Sequence, residues 1–406
     1  MSFLRAAARA ALLDRQPVRK KSLGRPCLLG GGFGVLVIAV LGASLVSCAG
    51  SKSVPTFGQH QDAYVTLPGQ NSVLYMQINS ITGEITSIGQ TPQVLGTSPQ
   101  GLALLGKFLY VANSLANTVS LFNIAEDGSL SQKAAPTPAG SSPHAAVVDP
   151  SGQYLLVTNS GSGNYGTVSV FSIDSGSGAL TEVAGSPFYS NPDPSDLVFA
   201  PTGDLVYVSN PGVGTVTAFT FSTSTGALTP VPGSPYYSGT GASGMAIDST
   251  GTHLYVANSS AINNPPTSVG NLSGFNINLT QGPTYGSLSP ITGSPFTQIG
   301  GNGPTVLVLS SNGILFATTS GSNYSVWAFS ISSSTGALSP TINSPFSVAS
   351  GNLFALIDPL GGFFYIGSPT GIQGYTYDQN NGQPTVITNS PFSTNGTTPG
   401  KMVISP

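Results

Sequence analysis

The stretch Leu109-Tyr110-Val111-Ala112-Asn113 sets the plan of this chain, because it keeps returning. It recurs as Leu155-Leu156-Val157-Thr158-Asn159, Val206-Tyr207-Val208-Ser209-Asn210 and Leu254-Tyr255-Val256-Ala257-Asn258, with looser copies at 63–66, 315–318 and 364–367. Each copy is apolar, rich in β-branched and aromatic residues, and ends at a turn-forming residue, which is the pattern of a buried strand. One strand cannot cover both of its own faces. A copy about every 50 residues therefore points to a repeat array whose units bury one another.

The rest of each unit repeats as well. In 142–191 an apolar strand at 145–148 meets Asp149-Pro150-Ser151-Gly152. There Asp can close an Asx turn, Pro presets φ and Gly accepts positive φ. Strands at 154–159, 167–173 and 179–183 follow, then the exit Gly185-Ser186-Pro187-Phe188. The same exit recurs as Gly233-Ser234-Pro235-Tyr236, Gly293-Ser294-Pro295-Phe296, Ser344-Pro345-Phe346 and Ser390-Pro391-Phe392. Four antiparallel strands per unit in a single array is the signature of a β-propeller blade.

The units predict an all-β, seven-bladed β-propeller with blades at about 62–97, 98–141, 142–191, 192–240, 241–302, 303–350 and 351–398. The first blade lacks its own opening strand, and 399–406 match one. The C-terminal strand is expected to complete the first blade and close the ring, which removes exposed strand edges. Phe171, Phe219, Phe221, Phe275, Trp327 and Phe329 on third strands, and the aromatics of the exits, are expected in the core.

Charge is distributed unevenly. Charged residues make up only 6% of the chain, and seven of the 11 Lys and Arg precede Cys48. The remaining four bases face 13 of the 14 acids, a formal balance of −9, and no Arg follows Arg25. Such a surface cannot displace the counterions of a nucleic acid. It also lacks the guanidinium forks that hold phosphate groups.

Residues 1 to about 26 are basic and 28–46 are apolar or small, ending in Leu45-Val46-Ser47-Cys48. This order reads as a secretory signal over 1–47. The tetrad resembles a bacterial lipobox, which implies lipidation of Cys48 and a membrane-anchored, extracytoplasmic lipoprotein. The alternative is an uncleaved anchor, since the run is barely long enough to span. Residues 48–61 read as a tether. The missing Asp after Cys48 would, by resemblance to proteobacterial sorting, favour the outer membrane.

The Tyr-Val-Ala-Asn strands, Thr-Gly-Ala-Leu turns and Ser-Pro-Phe exits resemble the YVTN-type repeat proteins. They also resemble the bacterial lactonase-like seven-bladed propellers, which include 6-phosphogluconolactonase-type and carboxymuconate-cyclising enzymes. That resemblance spans almost everything from Asp62 onward. It implies chemistry from a His, a Glu and an Arg near the channel mouth. Ser142-Pro143-His144 matches the Pro-His that opens a blade. The departures are the missing Arg and Thr158-Asn159-Ser160-Gly161 in place of an Asp-Leu-Gly pattern.

Aligning the opening strands places Gln100, His144, Ser195, Ser243, Thr305, Leu353 and Gly400 at equivalent positions, on the face where propellers usually bind ligands. The polar members Gln100, Ser195, Ser243 and Thr305 are candidate ligand-binding residues. His144 is the one titratable member, suited to proton exchange near neutral pH. Asp193 and Asp196 are its candidate partners, and together they could activate water against an ester or lactone. The alternative is a loop histidine with no catalytic part. No His-x-x-x-His or cysteine pair suggests a metal, and no cofactor is expected. Inserts in the fifth unit, at 259–272 and 278–287, are either recognition loops or neutral variation. These features favour a ligand- or protein-binding module whose partner is a small molecule or an envelope protein. The alternative function is a lactonase-type carboxylic ester hydrolase.

Overall fold

The computed structural model describes residues 60–406 apart from 93–95, 162–164, 260–269, 298, 300–302, 320–323, 349–350 and 352. The signal, Cys48, most of the tether and most of the first blade-five insert lie outside the described residues. The opening strand is His60–Leu67, so His60 pairs with Asn79 inside the propeller and does not belong to the tether.

Seven antiparallel sheets form the ring. Blade 3 shows how one is built. Pro143–Val148 lies innermost, followed by Tyr154–Asn159, Gly166–Ile173 and Leu180–Glu182. In the hairpin turn the Asp149 carboxylate accepts the amides of Ser151, Gln153 and Tyr154, and Gly152 takes φ 73°. Asp248 and Asp358 close the matching turns in blades 5 and 7.

The second strand is apolar throughout because its two faces touch different blades. Leu155 and Val157 pack towards blade 2, while Leu156 packs towards blade 4. The buried clusters fall at the seven junctions between neighbouring blades, each drawing on two sheets. Second-strand tyrosines lock five of these junctions. Tyr64, Tyr110, Tyr207, Tyr255 and Tyr365 donate to the carbonyls of Gly128, Gly178, Gly286, Gly336 and Gly83 in the next blade. Leu156 and Phe316 occupy the position in the other two blades. Burial drives the tyrosine hydroxyls' pKa values far up, so they stay protonated and able to donate.

The exits hold a correction. In blades 3 to 7 they belong to the outer edge of the blade and do not simply lead onward. In blade 3, Leu180–Glu182 pairs with one half of the third strand and Phe188–Ser190 with the other. At the break the Ser186 hydroxyl accepts the Val170 amide at 3.0 Å. Ser234, Ser294, Ser344 and Ser390 repeat that bond. The exit aromatic is buried at Phe296 and Phe392, but only half-buried at Phe188, Tyr236 and Phe346. Among the third-strand aromatics Trp327 is half-buried and the others are buried.

Closure follows the expected route. Met402–Ile404 pairs antiparallel with His60–Leu67, setting Ala63 against Ile404 and Val65 against Met402. The Thr66 amide donates to the Lys401 carbonyl at 2.9 Å, and the Lys401 amide donates to Thr66 Oγ1 at 2.8 Å.

Candidate functional site

The innermost strands begin, and the second strands end, at one end of the channel. Gln100, His144, Ser195, Ser243, Thr305, Leu353 and Gly400 all line a cavity of about 500 Å³ there. In four blades the pairing of first and second strands slips at the residue in question. The slips bracket Gln100 between Pro99 and Gly101, His144 between Pro143 and Ala146, Ser243 between Ala242 and Met245, and Thr305 between Pro304 and Val306. A bulge frees a residue from the ladder and re-aims its side chain. In blade 3 the Thr158 hydroxyl takes the Ala145 amide that the slip leaves over. Neighbouring innermost strands crowd here. A Cβ on Gly101 would lie 2.4 Å from the His144 carbonyl oxygen, so blade 2 needs glycine beside that bulge.

Two pairs of ring residues clasp one another across blades, and Gln100 is held within its own blade. His144 Nδ1 lies 2.8 Å from the Ser195 carbonyl oxygen. The Ser243 hydroxyl donates to the Thr305 carbonyl at 3.1 Å. Gln100 Nε2 donates to the Ser98 hydroxyl at 2.9 Å. Thr305 Oγ1 is buried and unpartnered.

A carbonyl oxygen only accepts, so Nδ1 carries the proton of the neutral ring and Nε2 keeps its lone pair. Burial holds the His144 pKa below its usual value. The Ser195 carbonyl opposes that shift, the positive charge of Lys401 adds to it, and the charges of Asp196 and Asp193 oppose it more weakly.

The two carboxylates do not orient His144 in the way the sequence suggests. Asp196 lines the cavity, but Oδ1 accepts the Leu197 amide and Oδ2 accepts the Met245 amide of blade 5. It ties blade 4 to blade 5 and reaches His144 only through its charge. Asp193 is exposed, adopts φ 59°, and does not line the cavity.

Lys401 was missed by the sequence reading, yet it stands in the cavity wall. It is one position past the aligned Gly400 and is brought there by the closing strand. The second blade-five insert lies elsewhere. Its Tyr285 hydroxyl donates to the Asp204 carboxylate at 2.9 Å and covers the blade 4 hairpin.

Residues 56–345 match the family described as lactonase, 7-bladed beta-propeller. The chain belongs to that family. It is 32% identical over 87 residues to a 6-phosphogluconolactonase of Serratia proteamaculans, a match covering 21% of this chain and 25% of that protein. The chain thus spans about a quarter of the curated relative it matches. Solved structures share the fold over far more. A candidate 6-phosphogluconolactonase of Bacteroides fragilis aligns with TM-score 0.68 at 19% identity, over 87% of this chain and all of its own. The periplasmic gluconolactonase of Pseudomonas aeruginosa aligns at 0.66 and 15% identity, over 86% of this chain and 99% of its own. No arginine follows Arg25, so the arginine that the family resemblance implies for the mouth has no counterpart in this chain.

Proposed function

We propose that this lactonase-family propeller hydrolyses the ring ester of a lactone at the channel mouth, with His144 as general base. One observation carries the reading. His144 sits in the cavity wall with Nδ1 held by the Ser195 carbonyl, and burial keeps the ring neutral and basic near pH 7. Family membership favours hydrolysis over the binding-only module that composition alone suggests.

The step balances with water alone. Water oxygen attacks the lactone carbonyl carbon while its proton passes to Nε2, and the carbonyl π pair moves onto oxygen. Collapse of the tetrahedral intermediate breaks the ring C–O bond. The proton on Nε2 then passes to the departing alkoxide, leaving a hydroxy acid and a neutral imidazole. Gln100, in the cavity wall, offers hydrogen bonds to a polyhydroxylated ring. A panel of lactones followed by acid release tests this. Hydrolysis by the native chain that is lost in His144→Ala supports it, and a chain inert to the whole panel refutes it.

Export and lipid attachment at Cys48 complete the proposal, supported by the basic, apolar and Leu-Val-Ser-Cys order of the N-terminus. Metabolic labelling with a fatty-acid analogue should mark the native chain and not Cys48→Ala. Equal labelling of both would remove the anchor.

A further inference from the structure

We propose that Lys401, delivered by the strand that closes the ring, is the cation of the site: it stabilises the charge that develops on the lactone carbonyl oxygen, and because no second lysine among the described residues lines the cavity the site takes lactones that carry no anionic group of their own. This rests on the hydrolase reading above.

Four lysines and no arginine follow Cys48. Lys107 and Lys133 both lie over the Phe108 ring, at 5.4 and 4.9 Å, and neither lines the cavity. Lys52 lies outside the described residues. Lys401 shares the cavity wall with His144 and, among the described residues, forms no ion pair with a carboxylate.

Its backbone is also well anchored. Bonds of 2.8 and 2.9 Å tie the Lys401 peptide to Thr66, and the Gly400 amide donates to the Thr66 carbonyl at 2.8 Å. A Cβ on Gly400 would lie 2.4 Å from Thr66 Oγ1, so the approach needs glycine. The chain thus brings an unspent cation to the mouth on a fixed backbone. A cation already placed in the cavity wall stabilises a transition-state charge with less reorganisation than solvent needs. Lys401 also falls outside the 56–345 family match, so the closing tail supplies what the missing arginine does not.

The charge balance selects the substrate. The tetrahedral intermediate places one negative charge on oxygen, which one ammonium group can meet. A phosphorylated lactone adds up to two more negative charges. It would have to set them against Asp196 in the wall and Asp193 outside it, with no fork of guanidinium donors to hold them.

The test uses the full chain in mild detergent, with gluconolactone and its phosphorylated form as probes. The native chain should hydrolyse the unphosphorylated lactone with kcat/KM at least about tenfold higher. Lys401→Gln should lower kcat about 100-fold with little change in KM, and Lys401→Arg should recover most of the loss. The acid limb of the Lys401→Gln profile should move to higher pH, because a positive neighbour has left His144. Melting curves confirm that both variants are folded. Preference for the phosphorylated lactone, or full kcat in folded Lys401→Gln, overturns the proposal while the hydrolase reading stands. A native chain inert to both probes overturns the two together.

Discussion

His144 and His253 stand at opposite ends of the same ring and are used in opposite ways. His253 opens the second strand of blade 5, at the hairpin-turn end. Its Nδ1 lies 2.7 Å from the Asp248 carboxylate, which also accepts the His253 and Thr252 amides. Burial pushes the Asp248 carboxyl up, but these bonds and one from the Thr250 hydroxyl outweigh it and hold its pKa below the usual value. Gly336 of the next blade lies against the His253 ring, where a Cβ would come within 2.4 Å. That histidine is part of a turn. His144 has a carbonyl partner, a cation for a neighbour and a cavity beside it. In a repeat protein the recurring partner marks structure, and the repeat position that departs from its siblings is where chemistry can sit.

This contrast can be broken by exchanging the consequences of substitution. His144→Ala should lower kcat/KM on a lactone about 1,000-fold and cost only about 1 kcal/mol of stability, for the lost bond to the Ser195 carbonyl. A folded His144→Ala variant that retains activity would end the distinction. The effect of Gly101→Ala should be smaller, about 100-fold in rate, because the added methyl displaces the His144 backbone while the chemical groups remain. Native rates in that variant would show that the bulge does not position the histidine. His253→Ala should cost about 2 kcal/mol of stability, read by denaturant unfolding, with kcat/KM intact. Loss of activity without loss of stability there would reverse the two roles. The smallest effect is expected at Tyr255→Phe, about 1 kcal/mol, since only the hydroxyl bond to the Gly336 carbonyl is lost. No loss at all would show that water replaces that bond.

The ring was legible because its determinants are local and repeated. Tyr-Val-Ala-Asn, Asp-Pro-Ser-Gly and Ser-Pro-Phe each encode a strand, a turn and an exit within a few residues, and 399–406 carry the pattern missing ahead of His60. Alignment of opening strands also picked out residues that share the cavity. What it did not resolve depends on contacts between distant segments. The Asp196 carboxylate is captured by an amide 49 positions away, which no spacing rule announces. Lys401 enters the wall through pairing with a strand more than 300 residues earlier. The exit serines accept amides of the third strand at the break between the two halves of the outer edge, a pairing that no local spacing encodes.

The pH dependence of kcat/KM on an unphosphorylated lactone tests the account most directly. A His144 held below its ordinary pKa of 6.5 is more than half deprotonated at that pH. The rate should therefore fall along a single acid limb centred below 6.5, a limb absent from the residual activity of His144→Ala. A limb centred above 6.5, or one that persists in His144→Ala, would place the base on another residue and contradict the account.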